Sequence, residues 1–387
     1  MTERPLQLAW LAGLSFLFLP GCTESSNSAG SASKSPEASN EATNETSTGA
    51  ASTTSGTRRI ILLNNTESPF WDAARAGIAK AVEDLNLKEN GFTASMDSNT
   101  NGEEGQIEKL RQYGTQSDIA AVIISPTSAT NAAIADELKN LKDKGIIIGT
   151  FDSDLDTKFQ ETREFYVGTN NTRGGEVLGT AAKGMKPAGG EYMQFVGYDS
   201  MQNAVQRMDG FTNAAGDKFT QKGRRTDDTD RNRARDNVRD SIDQNLNLSV
   251  LVGIWSYNAP AIVDVVKEKN VRDKFTIVTF DAEPIAIQQM SEGMIDAMVV
   301  QNPFGMGYDS VKYVFAKLKS DNATIAEMFP NMKDPGGNIR DTGLKIVAPD
   351  DGSPLTPEMF KEFGPSVQFL KLSEFKAWLK EYNLTSS

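Results

Sequence analysis

The sequence predicts an α/β protein of two domains, each built on a doubly wound parallel sheet. Three observations lead there. At 387 residues the chain is too long for a single hydrophobic core. From Arg58 onward, short β-branched runs alternate with helix-length amphipathic stretches, the pattern of parallel strands joined by crossover helices. The one cysteine, Cys22, permits no internal disulfide, so packing alone must hold the fold.

Composition also narrows the chemistry. The chain has no histidine, which removes Ser-His-Asp and Cys-His nucleophiles, His-dependent metal sites and a His proton shuttle. With 40 basic and 52 acidic side chains the formal net charge is −12, a field that repels phosphates, so no nucleic-acid partner is expected. Neither a metal nor any other cofactor is expected.

The elements follow in order. Leu6 to Leu19 is an apolar run broken only by Gln7 and Ser15; at roughly 1.5 Å per residue it spans about 21 Å, short of a hydrocarbon core of ~30 Å. It reads as a signal peptide, residues 1–21. The run ends in Leu19-Pro20-Gly21-Cys22, which resembles the lipobox of bacterial lipoproteins and implies acylation of Cys22 and attachment to a membrane through that lipid. Residues 23–56 hold 16 Ser and Thr in 34 positions and no Leu, Ile, Val, Met or aromatic residue, so residues 22–56 read as an acylated cysteine and a disordered tether.

The folded body opens with a strand at Ile60 to Asn64 and a helix from Phe70 to Leu85. Ser68 is placed to cap that helix and Pro69 suits its first turn, while Phe70, Ala74, Ile78, Ala81 and Leu85 fall on one face. A strand at Ala120 to Ser125, a helix at Ala129 to Leu141 and a strand at Gly145 to Phe151 come next. Further strands are expected at Phe165 to Thr169, Glu191 to Gly197, Ser249 to Ile254, Phe275 to Phe280 and Ile295 to Gln301. The charged run Arg224 to Asp240 reads as a solvated helix and loop. The glycines Gly168, Gly174, Gly175 and Gly179 lack phosphate-loop and dinucleotide spacing.

Open parallel sheets bind ligands beyond the carboxyl ends of their strands. The residues there are Asn64, Phe70, Trp71, Ser125, Asp152, Arg207, Trp255, Ser256, Tyr257, Asn258, Asp281 and Gln301. Rings that cover C–H faces, together with Asp, Asn, Gln and Arg for hydroxyls, suit a neutral polyhydroxylated ligand. Each position also has a plainer reading: Trp71 as a core plug, Asp152, Asp281 and Asn258 as helix caps, Arg207 as the partner of Asp209 or Asp199, Gln301 as a hinge residue.

Several motifs then occur in a telling order: Ser68-Pro69-Phe70-Trp71, Ser125-Pro126-Thr127, Asp152, Asn170-Asn171-Thr172-Arg173-Gly174-Gly175, Arg207-Met208-Asp209-Gly210-Phe211, Trp255-Ser256-Tyr257-Asn258, Phe280-Asp281 and Gln301-Asn302-Pro303. On these the chain resembles the type 1 periplasmic binding proteins of ABC sugar importers, nearest the ribose and xylose branch, over residues 58–347. Ser153 where ribose binders carry Arg, and the lack of an aromatic residue from Thr226 to Arg231, argue against ribose itself.

The resemblance implies two lobes joined by a multi-strand hinge, with residues 57–168 and 302–340 in one, 169–301 and 341–347 in the other, and 348–387 as an extension whose aromatic residues are spaced for amphipathic helices. It implies a monomer in the periplasm or cell envelope that captures a monosaccharide and delivers it to ABC permease subunits, with Arg207 as the main polar clamp. Its removal is expected to leave folding nearly intact. Two other readings stay open: a sugar-reporting partner of a membrane sensor, and glycosidic acid/base chemistry by Asp152 and Asp281, which would need a carboxyl of raised pKa.

Overall fold

The computed structural model describes residues 56–245 and 247–387. The apolar run, Cys22 and the Ser/Thr-rich segment before Gly56 lie outside the described residues.

The first part of the chain runs β1 (Arg58–Leu63), α1 (Phe70–Asp84), β2 (Phe92–Asp97), α2 (Gly102–Tyr113), β3 (Ile119–Ile124), α3 (Ala132–Asp143), β4 (Ile147–Phe151) and β5 (Phe165–Gly168). It continues with α4 (Asn171–Met185), β6 (Gly190–Val196), α5 (Gln202–Ala215), β7 (Phe219–Thr226), α6 (Arg231–Gln244), β8 (Leu248–Gly253), α7 (Asn258–Glu268), β9 (Thr276–Phe280), α8 (Pro284–Ser291) and β10 (Ala297–Val300). Last come α9 (Pro303–Leu318), α10 (Asn322–Met328), β11 (Ile339–Asp341), β12 (Leu344–Ala348), β13 (Val367–Lys371) and α11 (Leu372–Glu381).

One sheet has the order β11-β5-β4-β3-β1-β2 and the other β13-β12-β10-β9-β8-β6-β7. Apart from β13 the two orders superpose, so β4 in one lobe corresponds to β9 in the other. Every neighbouring pair is parallel except β10 with β12. Both faces of each sheet are covered by helices, which is why β1, β3, β4, β8 and β9 are nearly continuous apolar runs. The chain crosses between lobes at residues 169–170, 301–302 and 342–343. These crossings are tied together: Thr342 N–H donates to the Gly168 carbonyl at 2.8 Å and Asn302 Nδ2 to the Thr342 carbonyl at 3.2 Å.

Several local expectations change. The first helix takes Pro69, not Ser68, at its cap position; Ser68 contributes its carbonyl, which accepts from Trp71 N–H at 3.2 Å. The third helix starts at Ala132 because Asn131 Oδ1 caps it, accepting from the Ala133 and Ile134 N–H groups. In the charged run, Arg224 to Thr226 is the end of a strand. Beyond Val347, Phe369 lies in the strand β13 and Phe360 in a 3-10 turn; only Leu372–Glu381 is α-helical, and its Leu372, Phe375 and Leu379 complete the core on one face of the second sheet.

The glycine cluster serves packing. A Cβ on Gly175 would stand 2.1 Å from the Arg207 carbonyl oxygen, and one on Gly210 would stand 2.3 Å from that of Thr172, so α4 and α5 touch backbone to backbone. Gly77 and Gly307 do the same for α1 and α9.

Candidate functional site

The carboxyl ends of both sheets face a cleft of about 390 Å³, a size suited to a small molecule. Its deepest charge is Arg207, which α5 delivers from the second lobe and which is 1% exposed. Its guanidinium stacks over Phe280 at 4.3 Å. Nε donates to Asn171 Oδ1 at 2.9 Å and Nη1 to the Ile254 carbonyl at 3.2 Å, while Nη1 lies 3.8 Å from Asp281 Oδ2. Burial raises the Asp281 carboxyl to about 6, with Arg207 and the Gln301 amide pulling the other way. Burial also raises Asp152, in the first lobe, against the attraction of Arg207 and hydrogen bonds from Ser125 and Ser153. One guanidinium thus serves two desolvated carboxyls, one from each lobe.

Aromatic rings stand on both sides. Phe70 and Trp71 meet edge to face at 4.9 Å, and Trp71 packs against Phe151 at 5.4 Å. Opposite them, Trp255 contacts Tyr198 and Tyr257 at 6.0 and 6.4 Å. Tyr257 donates its hydroxyl to Asp227, whose other oxygen accepts from Asn258 Nδ2 at 3.0 Å; burial raises Asp227 to about 6. Arg231 grips the buried Glu283 with both Nη atoms, at 3.2 and 2.9 Å, and Ser256 Oγ joins the same carboxylate at 3.2 Å. The lobes touch across the cleft where Asn203 Nδ2 donates to Ser153 Oγ at 3.3 Å. Four lining residues keep a buried polar atom without a protein partner: the donors Arg207 Nη2 and Trp255 Nε1, and the acceptors Gln301 Oε1 and Asn203 Oδ1.

A family model described as a periplasmic binding protein domain matches residues 60–322. The chain belongs to that family. Among solved structures, this periplasmic binding protein is similar to a solute-binding protein of an ABC transporter from Burkholderia graminis in complex with D-arabinose, at 19% identity over 77% of this chain and 97% of that one, with a TM-score of 0.66. It is similar to a solute-binding protein from Agrobacterium vitis with bound D-fucose, at 19% identity over 78% and 98% of the two chains and a TM-score of 0.66. GanP, a glucose-galactose binding protein from Geobacillus stearothermophilus, shares 20% identity over 75% and 97%, with a TM-score of 0.64. These likenesses establish the fold. No curated protein sequence is recognisably similar to this one. None of the described helices is long and apolar enough to cross a membrane.

Of the residues expected from sequence, this periplasmic binding protein brings Phe70, Trp71, Asp152, Arg207, Trp255, Ser256, Tyr257, Asp281 and Gln301 to the cleft. Asn64, Ser125 and Asn258 stand behind its wall. Asn64 Oδ1 accepts from Asn99 N–H at 2.6 Å, Ser125 Oγ donates to Asp152 at 2.9 Å, and Asn258 holds Asp227 and the Trp255 N–H; their polar groups are spent on neighbours, of which Asp152 and Trp255 line the cleft. Asp154, beside Asp152, is taken by Arg163, which donates from Nε and Nη2 at 2.6 Å each. Asn65, Glu67, Thr229 and Arg231 line the cleft and were not expected; Tyr198 and Asn203 line it too, in the segment Tyr198 to Arg207 that follows a strand's carboxyl end. Arg231 lies in the run read as solvated; its side chain is half exposed, and its guanidinium pairs with the buried Glu283 at the cleft wall.

Proposed function

We propose that this protein is a solute-binding protein that captures a monosaccharide between its lobes and presents the closed complex to an ABC permease. The four buried polar atoms left unpartnered in the cleft carry this reading. Two donors and two acceptors, set between aromatic rings from both lobes, match a ligand whose hydroxyls both give and take hydrogen bonds and whose ring faces are apolar. Contacts from both lobes favour the closed state, which a permease distinguishes from the open one. The sugars named in similar structures support the same ligand class. The test is a thermal-shift panel of pentoses, hexoses, deoxy sugars and polyols. A bound sugar at ~100 times its Kd stabilises by about 2.7 kcal/mol, a rise of several degrees. No shift with any sugar, alongside a shift with amino acids or nucleosides, overturns the reading.

The attachment to a membrane belongs to the same proposal and rests on the sequence Leu19 to Cys22. Cys22→Ser is expected to move the protein from the detergent phase to the aqueous phase; equal partitioning of both forms overturns it. A second reading, glycosidic hydrolysis, has in its favour the carboxyls of Asp281 and Asp152, both raised by burial. Against it, Arg207 stands 3.8 Å from the Asp281 carboxyl and also attracts Asp152, a fixed charge that favours the ionised form where a general acid must stay protonated. Incubation with aryl glycosides decides between the readings: release of the aryl alcohol means an enzyme, and its absence beside sugar binding means a carrier.

A further inference from the structure

Two consecutive serines touch three of the segments that wall the cleft. Ser387 makes a two-way bridge with Ala282: the Ala282 N–H donates to the Ser387 main-chain oxygen at 2.8 Å, and the Ser387 N–H donates to the Ala282 carbonyl at 3.3 Å. The Ser387 hydroxyl donates to the Gln301 carbonyl at 2.9 Å. One residue earlier, Ser386 Oγ donates to the Pro69 carbonyl at 3.0 Å. Both serines are 2% exposed.

Each contact falls next to a cleft residue. Ala282 follows Asp281, Gln301 is a crossing residue that lines the cleft, and Pro69 precedes Phe70 and Trp71. Pro69 belongs to the first lobe and Ala282 to the second, so the serine pair ties the lobes together. Its approach is fixed from behind. Helix α11 is docked on the second sheet, and Tyr382, just after it, sets its ring 4.8 Å from that of Phe304 in α9 of the first lobe. Lys345 of β12 is buried under the same helix with its ammonium 3.9 Å from the Trp378 ring centre, a contact that gains strength where water is excluded.

We infer that Ser386 and Ser387 are positioning residues of the binding cleft: they limit how far the two lobes can separate and hold the Asp281 turn, Gln301 and the Phe70–Trp71 turn in register before any ligand arrives. The inference rests on the cleft being the ligand site, but the strap itself is a property of the sugar-free protein, and its test needs no sugar. A strap of this kind narrows the range of lobe separations, which lowers the ordering cost of closure.

The experiment measures the distance between spin labels at Glu104→Cys in the first lobe and Asp240→Cys in the second, in a Cys22→Ser background. Both labelled positions are exposed. Three forms are compared without sugar: the parent, Ser386→Ala, and a chain lacking residues 386 and 387. The parent is expected to give one narrow distance distribution. Ser386→Ala removes only the serine pair's bond to the first lobe; it is expected to widen that distribution about twofold with a melting temperature within about 1 °C of the parent, which separates positioning from general stability. Loss of both serines is expected to widen it further and to speed exchange of the Ala282 amide at least tenfold. If the shortened chain does not fold, Ser386→Ala decides alone. An unchanged distribution in Ser386→Ala overturns the inference, as does an unchanged Ala282 exchange rate in a folded shortened chain.

Discussion

Asp152 and Asp281 occupy matching places in the two lobes. Each directly follows the fourth strand of its sheet, each has a left-handed backbone, with φ of 59° and 60°, and each donates its N–H to the next strand, to Val167 at 3.1 Å and to Val299 at 2.7 Å. The turned backbone is one that Asp tolerates better than most residues. It ends any role as a helix cap; Asp281 comes within 3.8 Å of the Arg207 guanidinium, whose charge also attracts Asp152.

That arrangement makes stability depend on pH through Asp281. Its carboxyl sits at about 6 in the folded protein, above the ~3.9 of an unfolded chain. A carboxyl raised on folding stabilises fully below the unfolded value, and that contribution is lost as pH rises through the folded one. Asp281→Asn has no such titration. Relative to the parent, the variant is expected to gain about 2–3 kcal/mol between pH 4 and pH 7, read from urea midpoints at both ends. A constant difference would mean the carboxyl is not desolvated.

Arg207→Ala tests the other half of the arrangement. The sequence suggested a clamp in an open cleft, removable with little cost to folding. The structure buries it instead, so truncation leaves two desolvated carboxyls without their cation and is expected to cost about 3–5 kcal/mol of stability at pH 7. Sugar affinity measured by calorimetry on the folded fraction is expected to fall by about 2–4 kcal/mol, roughly 30- to 1000-fold. Arg207→Lys should recover little, since a point charge does not reproduce the fork. Arg233, exposed and paired with Asp228, is the control: its alanine variant should stay within about twofold of the parent.

Asp154 should separate structure from recognition. It is two residues from Asp152, yet its carboxylate is engaged by Arg163, Thr150 Oγ1 and its neighbour's N–H. Asp154→Ala strands a buried guanidinium and should cost about 3–5 kcal/mol. The affinity of the molecules that remain folded should change less than about threefold, against the far larger loss for Arg207→Ala.

Gly175→Ala places a methyl group 2.1 Å from the Arg207 carbonyl oxygen. Backbone, not a flexible side chain, has to yield, so α5 must move away from α4. A loss of about 1–3 kcal/mol is expected, together with weaker sugar binding because Arg207 rides on the displaced helix. A variant with parental stability and affinity would show that the helices can part without cost.

Much of this was legible in the sequence, and the gaps have physical causes. The strands β1, β3, β4, β8 and β9 are covered on both faces and therefore read as apolar runs. The outermost strands β2 and β7, with the sequences FTASMD and FTQKGRRT, are half-exposed and lack that signal. Missing β7 had a cost at the site. Asp227 follows its last residue, so the rule that found Asp152 and Asp281 would have found Asp227 as well. The same rule overreached at Asn64, Ser125 and Asn258. Their positions are right, but whether such a side chain faces the cleft depends on Asn99, Asp152 and Asp227, partners supplied only by tertiary structure.

The three crossings between lobes also govern the order in which the molecule can be completed. Helix α9 packs its Phe304 backbone onto Gly77 of α1, and β11 closes the edge of a sheet that begins with β1. During synthesis the first lobe therefore emerges without one of its covering helices and without an edge strand, and it stays so while β6 to β10 of the second lobe are made. Neither lobe is a contiguous piece of chain, so a cut at any one crossing releases no whole domain. Contacts this distant along the chain slow folding, and the first lobe cannot be completed until α9 and β11, residues 303–341, have been made.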